Sequence, residues 1–203
     1  MFAHLRPALV MIALMTVLTG VIYPLAVTAI AQLAMSSQAN GSLRTNGKIV
    51  VGSTLIGQSF AADHYFHNRP SATSAPDPKE EGKTIDAPYN ASNSSGSNLG
   101  PLSKKLLDRV GPDAAALRAS SGLPAPADAV TTSASGLDPH ISPANAAQQV
   151  ARVAAARQVS EDRVRQILQA STERPALGLF GEPRVNVLLL NLALDAALGS
   201  RAG

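Results

Sequence analysis

The chain has 203 residues, enough for one domain or one domain with an appendage. With 17 Lys and Arg against 14 Asp and Glu, its net charge of +3 is slight, and no run holds more than two basic residues, which argues against a nucleic-acid partner. The absence of cysteine excludes a disulfide scaffold, a thiolate zinc site and a cysteine nucleophile.

Residues 7–43 carry no Asp, Glu, Lys or Arg, and residues 8–35 within them are almost wholly apolar. As a helix this stretch is about 42 Å long at about 1.5 Å per residue, more than the roughly 20 residues that cross a bilayer. Pro24 is expected to kink the helix rather than end it. A cleaved secretory signal is the competing reading, with Arg6 as its basic start and Ala29-Ile30-Ala31 as a small-x-small cleavage site. The apolar run exceeds the about 7–15 residues of a signal core, which favours a retained span. Arg6 then places the amino terminus in the cytoplasm and the remainder outside. The expected organisation is a cytoplasmic tail over 1–7, a transmembrane helix over 8–35 and one extracytoplasmic domain over 36–203.

Within that domain, Lys48–Gly52 and Leu55-Ile56 look like short strands punctuated by glycine. The polar tract 68–98 is too rich in Ser, Pro, Asn and Gly for a continuous helix. The spacing of Leu102, Leu106 and Val110 predicts a helix stopped by Gly111-Pro112, with a second short piece over 113–119 ending near Gly122. Pro124, Pro126 and residues 131–135 read as loop. Ser142-Pro143 is a hydroxyl cap followed by a first-turn proline, and predicts a helix to about Arg157 with Ala147, Val150, Ala151 and Ala154 on one face. Ser160 caps the next helix, which has Glu161 and Asp162 in its first turn and Val164, Ile167 and Leu168 on its buried side. Val185, Leu188, Leu189, Leu192 and Ala196 form the stripe of a last helix, ended by Gly199. The fold class is therefore α+β: one N-terminal transmembrane helix, then an extracytoplasmic domain of short strands and several helices.

Catalytic motifs fail on mechanics. Gly82-Lys83-Thr84 resembles the tail of a phosphate loop, but Asp77 stands where its first glycine is needed. No serine lies in Gly-x-Ser-x-Gly or Ser-x-x-Lys. Asp63, His64 and His67 hold metal-ligand chemistry, although polar histidines on a surface strand or turn are the simpler reading. Asp138, His140 and Ser142 have the residue types of a triad, yet spacing by two does not make their side chains converge. Asp138-Pro139 is instead expected to turn the chain and Ser142 to cap a helix. The string Asn90 to Asn98 could bind an anion or a nucleotide, but such loops more often hydrogen-bond their own backbone.

Longer strings resemble a known family. Gly52–Phe60, Tyr65–Ala72, Tyr89–Ala91, Ser94–Pro101, Asp128–Pro143, Arg152–Ala154 and Gly181–Asn191, in this order behind one span, are similar to the C subunit of the Kdp potassium-transporting ATPase. Gly111-Pro112 departs from the more continuous helix expected in relatives. The resemblance implies a noncatalytic accessory subunit that supports assembly and raises the apparent ATP affinity of the pump, in a bacterial inner membrane. Its implied partners are a channel-like potassium-translocating subunit, a P-type ATP-hydrolysing subunit and a small membrane subunit. It implies no firmly bound cofactor; ATP enters through the complex, and potassium is the transported ion. The family's proposed nucleotide contact maps onto Ser95, Gly96, Ser97 and Asn98, which the topology above puts across the membrane from cytoplasmic ATP. Gly136, Asp138, Pro139 and His140 are the expected docking or pore-mouth surface. A secreted enzyme and a ligand-binding receptor module are the alternatives.

Overall fold

The computed structural model describes residues 2–175 and 177–200. The chain divides after Ser53 into two compact units.

In the first unit, α1 (Leu5–Val17) and α2 (Tyr23–Ala34) are joined by a wider π-helical turn at Leu18–Ile22. Together they make a helix of 30 residues whose most apolar stretch has a mean hydropathy of 2.2 and is nowhere buried in protein. That is long and apolar enough to cross a membrane, as expected. Pro24 interrupts neither helix. Its ring would collide with the carbonyl four residues back, at Gly20, in a regular α-helix. The π turn falls on that position and gives the room, as such bulges do in kinked helices. The Thr19 hydroxyl donates to the Met15 carbonyl (2.7 Å), in the last turn of α1. A short helix α3 (Ser36–Ala39) follows, then an antiparallel hairpin of β1 (Leu43–Asn46) and β2 (Ile49–Ser53). Gly47, at φ +63°, makes its two-residue turn.

The second unit opens with a long irregular stretch containing one hairpin, β3 (Ser74–Pro76) with β4 (Thr84–Asp86). Leu55-Ile56 lies outside any strand, against expectation. Then come α4 (Lys104–Ser121), α5 (Ala127–Val130), β5 (His140–Ile141), α6 (Pro143–Arg157), α7 (Glu161–Ala170), β6 (Thr172–Glu173), β7 (Arg184–Asn186) and α8 (Val187–Leu198). The strands β5, β7 and β6 form an antiparallel sheet with β7 central. The core joins this sheet to α6, α7 and α8 through Ile141, Val150, Val153, Val164, Leu168, Val185, Leu190 and Leu194.

Local signals place the starts of α6 and α7 correctly. Ser142 accepts from the Asn145 N–H (3.0 Å), and Ser160 accepts from the Arg163 N–H. Gly111-Pro112 does not stop a helix: α4 runs through it, merging the two short pieces. Proline disfavours helical geometry in the preceding residue by striking its Cβ, and Gly111 has none. Both residues are exposed, so the unmade hydrogen bond faces water. On α6 the buried positions are Asn145, Ala146, Val150, Val153, Ala154 and Arg157, while Ala147 and Ala151 are exposed. On α8 the helix begins at Val187 and buries Leu190, Asn191 and Leu194, while Ala196 is exposed. Val185 belongs instead to the central strand, held by Ile141 on one side and Thr172 on the other.

Buried polar groups fix the irregular stretch to the core. Asn191 accepts from the Phe66 N–H (2.9 Å) and donates to the Phe66 carbonyl (3.0 Å), so a helix amide replaces a strand partner for a fully buried residue. Arg157, whose side chain is 1% exposed, donates to the His64 carbonyl (2.7 Å) and to Asp195 (2.7 Å) and lies over the Tyr65 ring. Asp195 also accepts from the Tyr65 hydroxyl (2.8 Å).

Candidate functional site: a clasped polar face

Two of the stretches singled out in the sequence lie against each other. The Ser95 N–H and the Ser94 hydroxyl both donate to the Ser135 carbonyl, at 2.9 and 3.0 Å. The Thr132 hydroxyl donates to the Ser97 hydroxyl (3.3 Å). Gly96 sits so close that a Cβ there would be 2.7 Å from the Ala134 carbonyl oxygen. Gly136 is tighter still: at φ +67°, a Cβ would be 2.5 Å from both the Ser95 carbonyl oxygen and Thr73 Cγ2. The Ser71 hydroxyl, donating to the Gly136 carbonyl (2.8 Å), closes the arrangement from a third segment. Ser95, Gly96 and Ser97 thus spend polar groups or packing on the neighbouring loop, and Asn98 turns the chain at φ +50°.

The clasp presents Asp138, Pro139 and His140. Asp138 accepts from the His140 N–H (3.0 Å), an Asx turn across Pro139. Its carboxylate also contacts the His140 ring (3.2 Å) and pairs with Arg69 (3.2 Å). Burial alone would raise the Asp138 carboxyl. The hydrogen bonds from the His140 ring and N–H, with the charges of His140 and Arg69, outweigh it and hold the group below its usual value of 3.8. The Pro139 carbonyl accepts from the Val187 N–H (3.0 Å), and β5 pairs His140 with Asn186, so the turn is tied to the core sheet. Arg69, Asp138 and His140 line an open groove of 460 Å³ together with Asp128, Glu182 and Arg184. Charges of both signs in an open trough suit a charged macromolecular surface better than a small apolar ligand.

Among the described residues, Asp138, His140 and Ser142 do not converge as a triad. The Ser142 hydroxyl donates to Asp128 (2.8 Å) while capping α6, so it serves the helix rather than His140. Among the described residues no three His, Asp or Glu side chains could hold a metal ion. His67 is half-buried rather than a surface residue; burial, then the Arg152 charge, lowers its ring, and Nε2 lies 3.2 Å from the Ala62 carbonyl.

The family model described as "K+-transporting ATPase, c chain" matches residues 5–196. The potassium-transporting ATPase KdpC subunit of Rhodopseudomonas palustris strain TIE-1 is 57% identical over 198 residues, 97% of this chain and 98% of that protein. The KdpC subunit of Methylobacterium nodulans is 56% identical over 98% of this chain and all of its own length. That of Bradyrhizobium diazoefficiens is 55% identical over 97% of this chain and 98% of its own.

The chain belongs to the KdpC family.

Several residues that build this KdpC face were not singled out in the sequence. Arg69 also donates to the Thr132 carbonyl (3.3 Å), joining the Asp138 loop to the segment before it. Tyr89 donates its hydroxyl to the Arg69 carbonyl, and burial pushes that hydroxyl up to about 12. Gly57 donates to the Leu137 carbonyl (2.8 Å), and a Cβ there would meet the Tyr89 ring at 2.7 Å. Asp128 accepts from the Ser142 N–H (2.7 Å) and Asn145 (3.1 Å), fixing the start of α6. All four lie inside the strings that carry the KdpC resemblance. That was their one available signal, since their partners are distant in sequence.

Proposed function

We propose that this chain, an accessory and noncatalytic subunit of the Kdp potassium-transporting ATPase, supports assembly of the complex and raises the apparent ATP affinity of its ATP-hydrolysing subunit. The contact surface in this reading is the face of Arg69, Asp138 and His140, docked on the channel-like potassium-translocating subunit. A small membrane subunit completes the assembly. The helix Leu5–Ala34 spans the bacterial inner membrane with Arg6 on the cytoplasmic side, so the clasped domain is outside. The carrying observation is that Ser94, Ser95 and Ser97 hydrogen-bond their own domain and hold a charged turn in place, which is how a docking surface is preorganised.

ATP is cytoplasmic, so an effect on its affinity from this face has to be allosteric. The domain must favour one state of a two-state pump, and by linkage ATP must favour the domain's bound state equally. Purified chain added to a complex lacking only this subunit should lower the apparent KM for ATP. The pair Arg69→Gln and Asp138→Asn should reduce that effect, while purified chain alone hydrolyses no ATP. Photo-crosslinking of an azido-ATP to the purified chain, abolished by Ser97→Ala, would contradict this reading and assign Ser95, Gly96, Ser97 and Asn98 to direct nucleotide contact.

A further inference from the structure

The loop joining β6 to β7 carries the densest exposed apolar cluster of the second unit. Leu177, Leu179 and Phe180 are 89%, 82% and 68% exposed, within four consecutive positions. Leu55, Ile85, Leu102, Leu107 and Leu123 are also exposed, but they are scattered along the sequence outside this loop, and scattered exposed apolar residues are ordinary. Three large apolar groups together on a soluble tip are not. The tip is well presented: β6 and β7 pair Thr172 with Val185 and Glu173 with Arg184, and the Gly178 N–H donates to the Pro175 carbonyl (3.0 Å). Arg184 is neutralised by Glu173 (2.9 Å), while Arg174 is exposed at the base of the tip.

We propose that Leu177, Leu179 and Phe180 enter the interfacial layer of a lipid bilayer, with Arg174 at the level of the phosphates. Size argues for lipid over protein. Large aromatic side chains bury about 150–250 Å² each. Three groups of at most that size fall short of the ~800 Å² each partner gives to a standard protein interface. Such a tip is too weak to anchor a protein alone, but a chain that already carries a membrane span needs only a second, weak signal. The depth is interfacial because a turn carried into hydrocarbon would strand its backbone N–H and carbonyl groups. Phe180 and the leucines suit the boundary between headgroups and acyl chains, where apolar faces of peripheral segments lie.

The test uses the full chain in vesicles of phosphatidylcholine and phosphatidylglycerol. The chain has no cysteine, so single ones can be placed freely. A nitrobenzoxadiazole probe at Leu179→Cys should be quenched several-fold more strongly by lipids with a nitroxide high on the acyl chain than the same probe at Leu102→Cys. A probe at Glu182→Cys excludes insertion driven by the dye itself. Its quenching should fall to the Leu102→Cys level when Leu177, Leu179 and Phe180 are all changed to Ser, with the circular dichroism unchanged. Equal quenching at positions 179 and 102, or quenching at 182 indifferent to the Ser changes, overturns the proposal. So does a blue shift at 179 that appears only when the other subunits are added, which would place the tip in a protein pocket.

Discussion

Gly136→Ala tests whether the clasp organises the site. The new Cβ would lie 2.5 Å from the Ser95 carbonyl oxygen and 2.5 Å from Thr73 Cγ2, and Thr73 is itself buried. One obstacle is backbone, so the strain cannot be relieved by turning a rotamer. Left-handed geometry adds about 1–2 kcal/mol for a residue with a Cβ, and overpacking typically about 1–3 kcal/mol. The sum, about 2–5 kcal/mol, lowers the melting temperature of a unit this size by on the order of 10 °C. Gly100→Ala is the matched control, because a Cβ there meets nothing within 4 Å. It should change stability by less than about 0.5 kcal/mol. Thermal unfolding of the full chain in detergent, followed by circular dichroism, reads the difference. If Gly136→Ala melts with Gly100→Ala, then Ser95 and Gly136 are not pressed together, and the preorganised face has no structural basis.

Other perturbations separate electrostatics, packing and insertion. Asp138→Asn should destabilise the domain at neutral pH. Because the folded carboxyl lies below 3.8, its contribution is full above that value and fades as pH falls through the lower folded one. Variant and wild type should therefore converge in acid, as denaturant midpoints across pH will show. Asp195→Ala strips the buried Arg157 guanidinium of its carboxylate and should cost about 3 kcal/mol, the low end for a broken buried pair, since carbonyl bonds to His64 and Gly199 remain. Asp195→Asn should cost clearly less in the same urea titration. Leu14→Arg places a charge within the apolar helix at about 2.5–3.5 kcal/mol and should abolish carbonate-resistant membrane association, whereas Ser36→Arg, beyond α2, should not.

What was legible in the sequence follows the reach of each interaction. Ser142 and Ser160 announce their helices because a cap acts on an N–H three residues away. The apolar helix is legible because composition alone decides it. Val185 was misplaced because a strand is defined by Thr172 and Ile141, which no local period reveals. The rotation of the α6 stripe has the same origin: Asn145 and Arg157 are buried by distant polar partners, Asp128 and Asp195. At the site, Asp138-Pro139-His140 was readable as a turn, but its ion pair with Arg69 joins residues 69 positions apart. The packing of Ser94–Ser97 against Thr132–Gly136 also spans some forty positions, and only resemblance brought both strings to notice together.

Topology decides whether the domain acts on ATP affinity from across the membrane. Ser92 is exposed beside the clasp, and the chain has no competing thiol. Cells carrying Ser92→Cys in the assembled complex are treated, while intact, with a membrane-impermeant maleimide, beside a control with Ala3→Cys in the amino-terminal tail. Labelling of Ser92→Cys before lysis, with Ala3→Cys labelled only afterwards, is the result this account predicts. If Ser92→Cys reacts only once the inner membrane is broken, the domain faces the cytoplasm, transmembrane coupling is wrong, and Ser95 to Asn98 can meet ATP directly.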